Sequence, residues 1–174
     1  MDHCKIVFTG PMGAGKTTAI RMLSDAPPIS TETRSTESDK PSTTAAFDYG
    51  ECRLADGTLV RLFGTPGQLR FDFMWDVLSQ GALGIIILLD DRRPDPAADA
   101  LDFLTEFPVQ AAIGAAVVGV GRFGDGTAGS DAGALAHRIQ AQGYRVPVVE
   151  VDVRRKDDVQ MLLQILVAQL EVCG

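Results

Sequence analysis

The chain has 174 residues, 45% of them hydrophobic and 22% charged, a composition that can bury a sizeable core and a length that suits one domain spanning 1–174. A net charge of −7 repels nucleic acid and anionic membranes over most of the surface, so an anionic ligand must be held by local devices. Cys4, Cys52 and Cys173 are odd in number and far apart, which excludes a metal-ligand spacing and a disulfide framework.

Lys5 to Thr9 is a short apolar run ending at Gly10 and reads as a buried strand. Lys16 to Ser24 has helical spacing, with Ile20 and Leu23 on one side and Pro27-Pro28 as a stop. Ser30 to Thr44 is polar and aperiodic, a mobile loop in sequence terms. Ala45 to Leu54 and Thr58 to Phe63 flank Asp56-Gly57, a two-residue hairpin signal. Gly64 to Arg70 reads as a second loop and Phe71 to Gln80 as a helix.

Leu83 to Leu89 is wholly apolar, as a parallel strand covered on both faces requires. Pro96 to Glu106 reads as a helix, Ala111 to Val120 as another buried strand, and Asp131 to Gln142 as a helix closed by Gly143. Val146 to Val151 is a last strand. Asp157 to Val172 is an amphipathic helix that turns Val159, Leu162, Leu163, Leu166 and Leu170 to the sheet. Strands alternating with helices, with one early hairpin, predict an α/β three-layer sandwich on a mostly parallel sheet. The apolar run Ile85 to Leu89 is far short of the roughly 20 residues that span a bilayer. Neither terminus carries a leader or lipidation pattern, so the expectation is a cytoplasmic protein without its own anchor.

The chemistry concentrates in Gly10-Pro-Met-Gly-Ala-Gly-Lys-Thr17, a match to G-x-x-x-x-G-K-[ST] placed between an apolar strand and a helix. Gly10, Gly13 and Gly15 let the backbone turn its N–H groups inward, and the helix start adds positive potential. The span Gly10, Gly13, Ala14, Gly15, Lys16, Thr17 and Thr18 is therefore the candidate phosphate cradle. Lys16 is suited to the β- and γ-phosphates, and the Thr17 hydroxyl to Mg²⁺. Ser42-Thr43-Thr44 before the next strand offers a second hydroxyl for Mg²⁺, and Gly67-Gln68 offers an amide for a γ-phosphate and a side chain to orient water.

Phe63-Gly-Thr-Pro-Gly-Gln68 followed by Arg70-Phe71 and Phe73-Met-Trp75, together with Lys40 to Thr44 and Phe47-Asp48-Tyr49-Gly50, resembles the switch regions of Ras-like small GTPases. The resemblance is to the bacterial branch, with its conservon-type and gliding-polarity GTPases. It implies a P-loop small G-protein architecture and a switch that binds GTP or GDP with Mg²⁺ and hydrolyses GTP slowly. Thr44, with Thr43 as alternative, takes the magnesium and γ-phosphate role, Gly67 the γ-phosphate contact, and Gln68 with Lys16 the catalytic role. Signalling would pass through loops 28–44 and 64–75 to a protein partner, and the resemblance implies a roadblock-type regulator.

Two positions depart from the family pattern. Gly64 stands where the second switch has Asp, and Gly121 stands where the guanine-reading motif has Asn. The base contacts then fall to Arg122, Asp125, Asp152 and Val153. ATP in place of GTP stays open. Ile85 to Asp91 also imitates the apolar-strand-plus-Asp signature of ATPases and small-molecule kinases, with Asp90 or Asp91 on the metal. A pseudo-GTPase scaffold is the third reading. Arg92 and Arg93 read as surface charge or an internal arginine finger, and His3 and His137 as core, cap or surface residues. Trp75 with Phe71 and Phe73 reads as helix packing or as an edge that a regulator recognises.

Overall fold

A computed structural model of the chain describes residues 4–27, 29–30, 47–66, 72–121 and 131–173. The elements run β1 (Cys4–Thr9), α1 (Lys16–Leu23), β2 (Ile29–Ser30), β3 (Asp48–Arg53), β4 (Leu59–Gly64), α2 (Asp72–Ser79), β5 (Gly84–Asp90), α3 (Pro96–Glu106), α4 (Pro108–Ala112), β6 (Ala116–Gly121), α5 (Ala132–Ala141), β7 (Val148–Val151) and α6 (Lys156–Cys173). They form one seven-stranded sheet in the order β2-β3-β4-β1-β5-β6-β7. Among the described residues β3 pairs antiparallel with both β2 and β4, while β1 is parallel to β4 and β5. The predicted α/β sandwich on a mostly parallel sheet is the observed architecture.

The period of the strands sorts side chains to two faces. Ile6, Phe8, Leu62, Ile86 and Leu88 meet Ile20 and Leu23 of α1 and Val159, Leu162 and Leu166 of α6. Val7, Ile85, Ile87 and Leu89 meet Trp75, Phe103, Leu104, Phe107 and Ile139 on the opposite face. The face of α6 expected to cover the sheet does so, with Leu170 at its partly buried end. Two strand glycines set how closely α6 packs. A Cβ on Gly84 would lie 2.8 Å from Leu166 Cδ1, and one on Gly119 would lie 2.8 Å from Leu162 Cδ1.

Three local expectations are corrected. Ala111 and Ala112 belong to α4, not to a strand; the peptide N–H of Ala115 bonds to Gln110 O, and the strand starts at Ala116. The apolar composition of Ala111 to Val120 cannot separate a buried helical turn from a buried strand, and Pro108, fixed in φ, starts the turn. Ser30 is not loop but pairs with Asp48 in the short edge strand β2. The β3–β4 turn is wider than two residues, closing from Gly57 N–H to Leu54 O with Gly57 at φ 86°. Asp56 accepts from Thr58 N–H at 2.9 Å, an Asx-type bond that holds the turn.

Among the described residues no helix is long and apolar enough to cross a membrane. His137 is exposed on α5, and Cys52 is a buried free thiol whose burial pushes its pKa up to about 11. Trp75 is buried against Phe103, with ring centroids 5.4 Å apart, so its observed contact is packing. His3 and Phe71 lie outside the described residues.

Candidate nucleotide-binding site

β1 lies at the centre of the sheet, and the order of strands reverses around it: β4 is on one side and β5 on the other. In open α/β sheets the crevice outside the carboxyl ends of the strands at such a switch point is where ligands bind. The loop that follows β1 is the glycine-rich segment. Gly10 (φ 140°), Gly13 (φ 82°) and Gly15 (φ 94°) all occupy backbone conformations that L side chains rarely adopt. At Gly10 a second constraint applies, because a Cβ there would sit 2.1 Å from Leu88 O of β5.

Gly15 caps α1, which has no side-chain cap and no acidic residue in its first turn. By helix geometry the N–H groups of Lys16, Thr17 and Thr18 have no helical acceptor, so the positive end of α1 is open to an anion. Ala14 N–H donates to Pro11 O at 3.2 Å, and the Ala14 side chain is buried. Lys16 folds back into the loop, where it is only 8% exposed. Its Nζ donates to Gly10 O at 2.7 Å and to Pro11 O at 2.8 Å. Burial lowers the Lys16 pKa to about 8, against the smaller raising effect of the Asp48 carboxylate.

Asp48 and Thr65 join the site, and neither is assigned a role by the sequence motifs. Thr17 Oγ1 donates its proton to Asp48 Oδ2. The reason lies in how β3 crosses α1. Thr17, Ile20 and Ser24 share one face of the helix, and Asp48 and Gly50 share one face of the strand. A Cβ on Gly50 would fall 2.0 Å from Ser24 Oγ and 2.9 Å from Ile20 Cγ2, so the bare glycine lets the two elements touch. Asp25 N–H to Glu51 O and Arg53 N–H to Asp25 Oδ2, both 2.9 Å, then fix the strand along the end of the helix.

Thr65 follows β4. Its N–H donates to Phe8 O at 2.9 Å, and its buried hydroxyl donates to Thr9 Oγ1 at 3.0 Å. These bonds tie the start of the second loop to the strand that launches the first. Thr65 stands inside the Thr-Pro-Gly-Gln string, but only the register of β1 on β4 shows that it reaches Thr9. Thr43, Thr44, Gly67, Gln68, Arg122 and Asp125 lie outside the described residues.

At the far end of the crevice, β7 delivers Asp152 and Val153. The Asp152 carboxylate is gripped by Arg154, Nε to Oδ1 at 2.8 Å and Nη2 to Oδ2 at 2.6 Å, and this partner lowers its pKa. The Val153 side chain is buried in the core. Asp90 at the end of β5 is held the same way by Arg92, at 3.0 and 2.8 Å, and Arg93 pairs with Asp99. Among the described residues no three His, Cys, Asp or Glu side chains converge as a metal cage. The loop offers one hydroxyl backed by one carboxylate, a hard oxygen set that fits a cation drawing most of its shell from phosphate and water.

Similar proteins share parts of this frame. Residues 29–118, just over half of the chain, match the family described as "Conserved hypothetical ATP binding protein". An uncharacterized protein of Methanocaldococcus jannaschii is 33% identical over 92 residues, 53% of this chain and 54% of that one, so the match spans about half of the relative's length. The G domain of the FeoB iron transporter of T. maritima superposes with a TM-score of 0.68 at 18% identity, covering 97% of this chain and 99% of that domain. That likeness is one of fold, and it extends through the glycine-rich loop that the family match leaves out. The chain belongs to the family of conserved hypothetical ATP binding proteins and has the P-loop fold of a G domain.

Proposed function

We propose that the chain is a regulatory nucleotide switch of the bacterial conservon and gliding-polarity kind: a single domain, acting in the cytoplasm, that binds a guanine nucleotide with Mg²⁺ and hydrolyses GTP slowly. One observation carries the reading. A buried lysine is held inside a loop of left-handed glycines at the end of the central strand, and the second loop is bonded to that same strand through Thr65. This is the arrangement of a phosphate cradle with a sensor loop beside it.

In this reading the amides of Gly13, Gly15, Lys16, Thr17 and Thr18 hold the pyrophosphate, joined by Ala14 when its bond to Pro11 opens. Lys16 exchanges the carbonyls of Gly10 and Pro11 for β- and γ-phosphate oxygens, so its ammonium is released from two neutral acceptors onto anionic ones. Thr17 and Thr44 would hold Mg²⁺, which when bound would neutralise those oxygens. Gly67 meets the γ-phosphate and Gln68 orients the water for in-line attack on γ-phosphorus, so catalysis is positioning and charge stabilisation. Arg92 and Arg93 are engaged by Asp90 and Asp99. The remaining transition-state charge then comes from a partner, for which the resemblance implies a roadblock-type protein. The switch reports to it through 28–44 and 64–75.

Guanine would be read by Arg122, Asp125, Asp152 and the backbone of Val153, with Asp152 giving up Arg154 to do so. The family description favours a second reading, in which the same cradle takes ATP. Gly121, without a side chain beside the base, is consistent with it. A kinase or ATPase with Asp90 or Asp91 as its metal carboxylate is a further reading: Arg92 neutralises Asp90, Asp91 Oδ1 is buried without a hydrogen-bond partner among the described residues, and the carboxylate that meets Thr17 is Asp48.

Calorimetry with GDP, GTP, ADP and ATP, each with Mg²⁺, tests the reading. Guanine-selective binding is expected; adenine-selective binding replaces it with the ATP reading, and no binding by any of the four rejects the switch. Gln68→Leu should slow hydrolysis and leave affinity intact, and an unchanged rate removes Gln68 from its role.

A further inference from the structure

We infer that Asp48 is the positioning residue of the magnesium site: it takes the Thr17 proton and so aims the Thr17 oxygen lone pairs at the cation. The inference rests on the nucleotide reading above and adds to it a residue to which no sequence motif assigns a role. A hydroxyl has one proton and two lone pairs. With the proton spent on Asp48 Oδ2, the oxygen faces away from β3 with only acceptor capacity, which is the state a metal ligand needs. A hydroxyl free to rotate would have to lose that freedom when the cation arrives.

Three further features point the same way. Asp48 stands opposite Gly64 in the β3–β4 register, and a Cβ on Gly64 would lie 3.3 Å from Asp48 Cβ and 3.5 Å from Asp48 Oδ2. A Cβ at 64 would press on Ile20 Cδ1 at 3.0 Å and on the Asp48 Cβ, while meeting Oδ2 only in ordinary contact, so the glycine leaves room for β4 beside α1 and for the Asp48 side chain on the adjacent strand. The contact of Gly50 with Ser24 and Ile20 sets the crossing of β3 on α1, which places Asp48 beside Thr17 and not one turn along. Finally, a carboxylate beside a phosphate cradle is repulsive to the nucleotide unless a cation lies between them. Asp48 therefore has a sign: it opposes naked nucleotide and favours nucleotide with metal.

That sign gives the test. Kd for GDP and for ADP is measured by calorimetry in saturating Mg²⁺ and in EDTA for the wild type, Asp48→Asn and Asp48→Ala. The quantity read is the ratio of the two Kd values, the enhancement by Mg²⁺. In Asp48→Ala the enhancement should fall at least tenfold, with Kd in EDTA unchanged or tighter. Asp48→Asn, which keeps an acceptor oxygen for Thr17 and loses the charge, should fall between Ala and wild type, and as a near-isostere it guards against misfolding. An enhancement within twofold of wild type in Asp48→Ala overturns the inference. So does equal weakening in Mg²⁺ and in EDTA, which a purely structural residue would produce. A wild type that binds neither diphosphate in either condition overturns the nucleotide reading itself.

Discussion

The buried Lys16 makes a prediction about the free protein that is independent of catalysis. Its pKa is lowered from 10.5 to about 8 by burial, so the unfolded chain holds this proton to higher pH than the folded chain. Between the two values the unfolded state binds more protons, and raising the pH must favour folding. A shift of this size amounts to about 3 kcal/mol of cost at pH 7, falling to about 1 kcal/mol near pH 9.5. Lys16→Met abolishes the dependence. It also strips the donors from Gly10 O and Pro11 O, bonds to a charged group worth about 1.5–3 kcal/mol each, so at pH 7 the variant should be less stable than wild type by about 0–3 kcal/mol. The informative quantity is the difference between wild type and variant as a function of pH, in which every other titrating group cancels. Urea unfolding of nucleotide-free protein at pH 7 and about pH 9.5 should show the wild type gaining about 2 kcal/mol relative to Lys16→Met. Curves parallel to within about 0.5 kcal/mol would falsify the buried position of the ammonium. Saturating nucleotide should abolish the gain, because phosphate oxygens hold the lysine charged.

Gly10→Ala must escape both a φ of 140° and a contact of 2.1 Å with Leu88 O, so diphosphate affinity should drop at least about a hundredfold and the melting temperature should fall; wild-type titration curves would contradict this. Leu166→Ala removes a fully buried side chain packed over Gly84 and should cost about 2–5 kcal/mol in chemical denaturation, with nucleotide affinity unchanged at saturation of the folded state. The Cys52 thiol, buried with its pKa pushed up to about 11, should resist an aromatic disulfide reagent at neutral pH in a variant lacking Cys4 and Cys173, and react at once in denaturant; rapid labelling of the native protein would show that the α1–β3 contact opens.

Much of this molecule is legible in its residues alone. The glycine-rich loop can be read because its physics is local: three backbone conformations, one lysine and a helix start are all set within eight neighbouring residues. The layered fold is legible because the apolar run of β5 and the helical period of α6 report burial directly. Pairings across the sheet are not legible in this way. Asp48 and Thr17 are 31 positions apart, Thr65 and Thr9 are 56 apart, and both bonds exist only because of strand register. The same limit accounts for Ala111–Ala112, where apolar composition is shared by a helical turn and a strand. It accounts for Ser30 as well, whose pairing with Asp48 has no signal in its polar neighbours. Local composition and spacing are thus enough to specify a phosphate cradle after the first strand and a sheet covered on both faces. Which carboxylate stands behind Thr17 is set only in the folded chain. Hydrogen bonds between distant segments depend on register and crossing distance, and here those follow from what glycine leaves empty at positions 50 and 64.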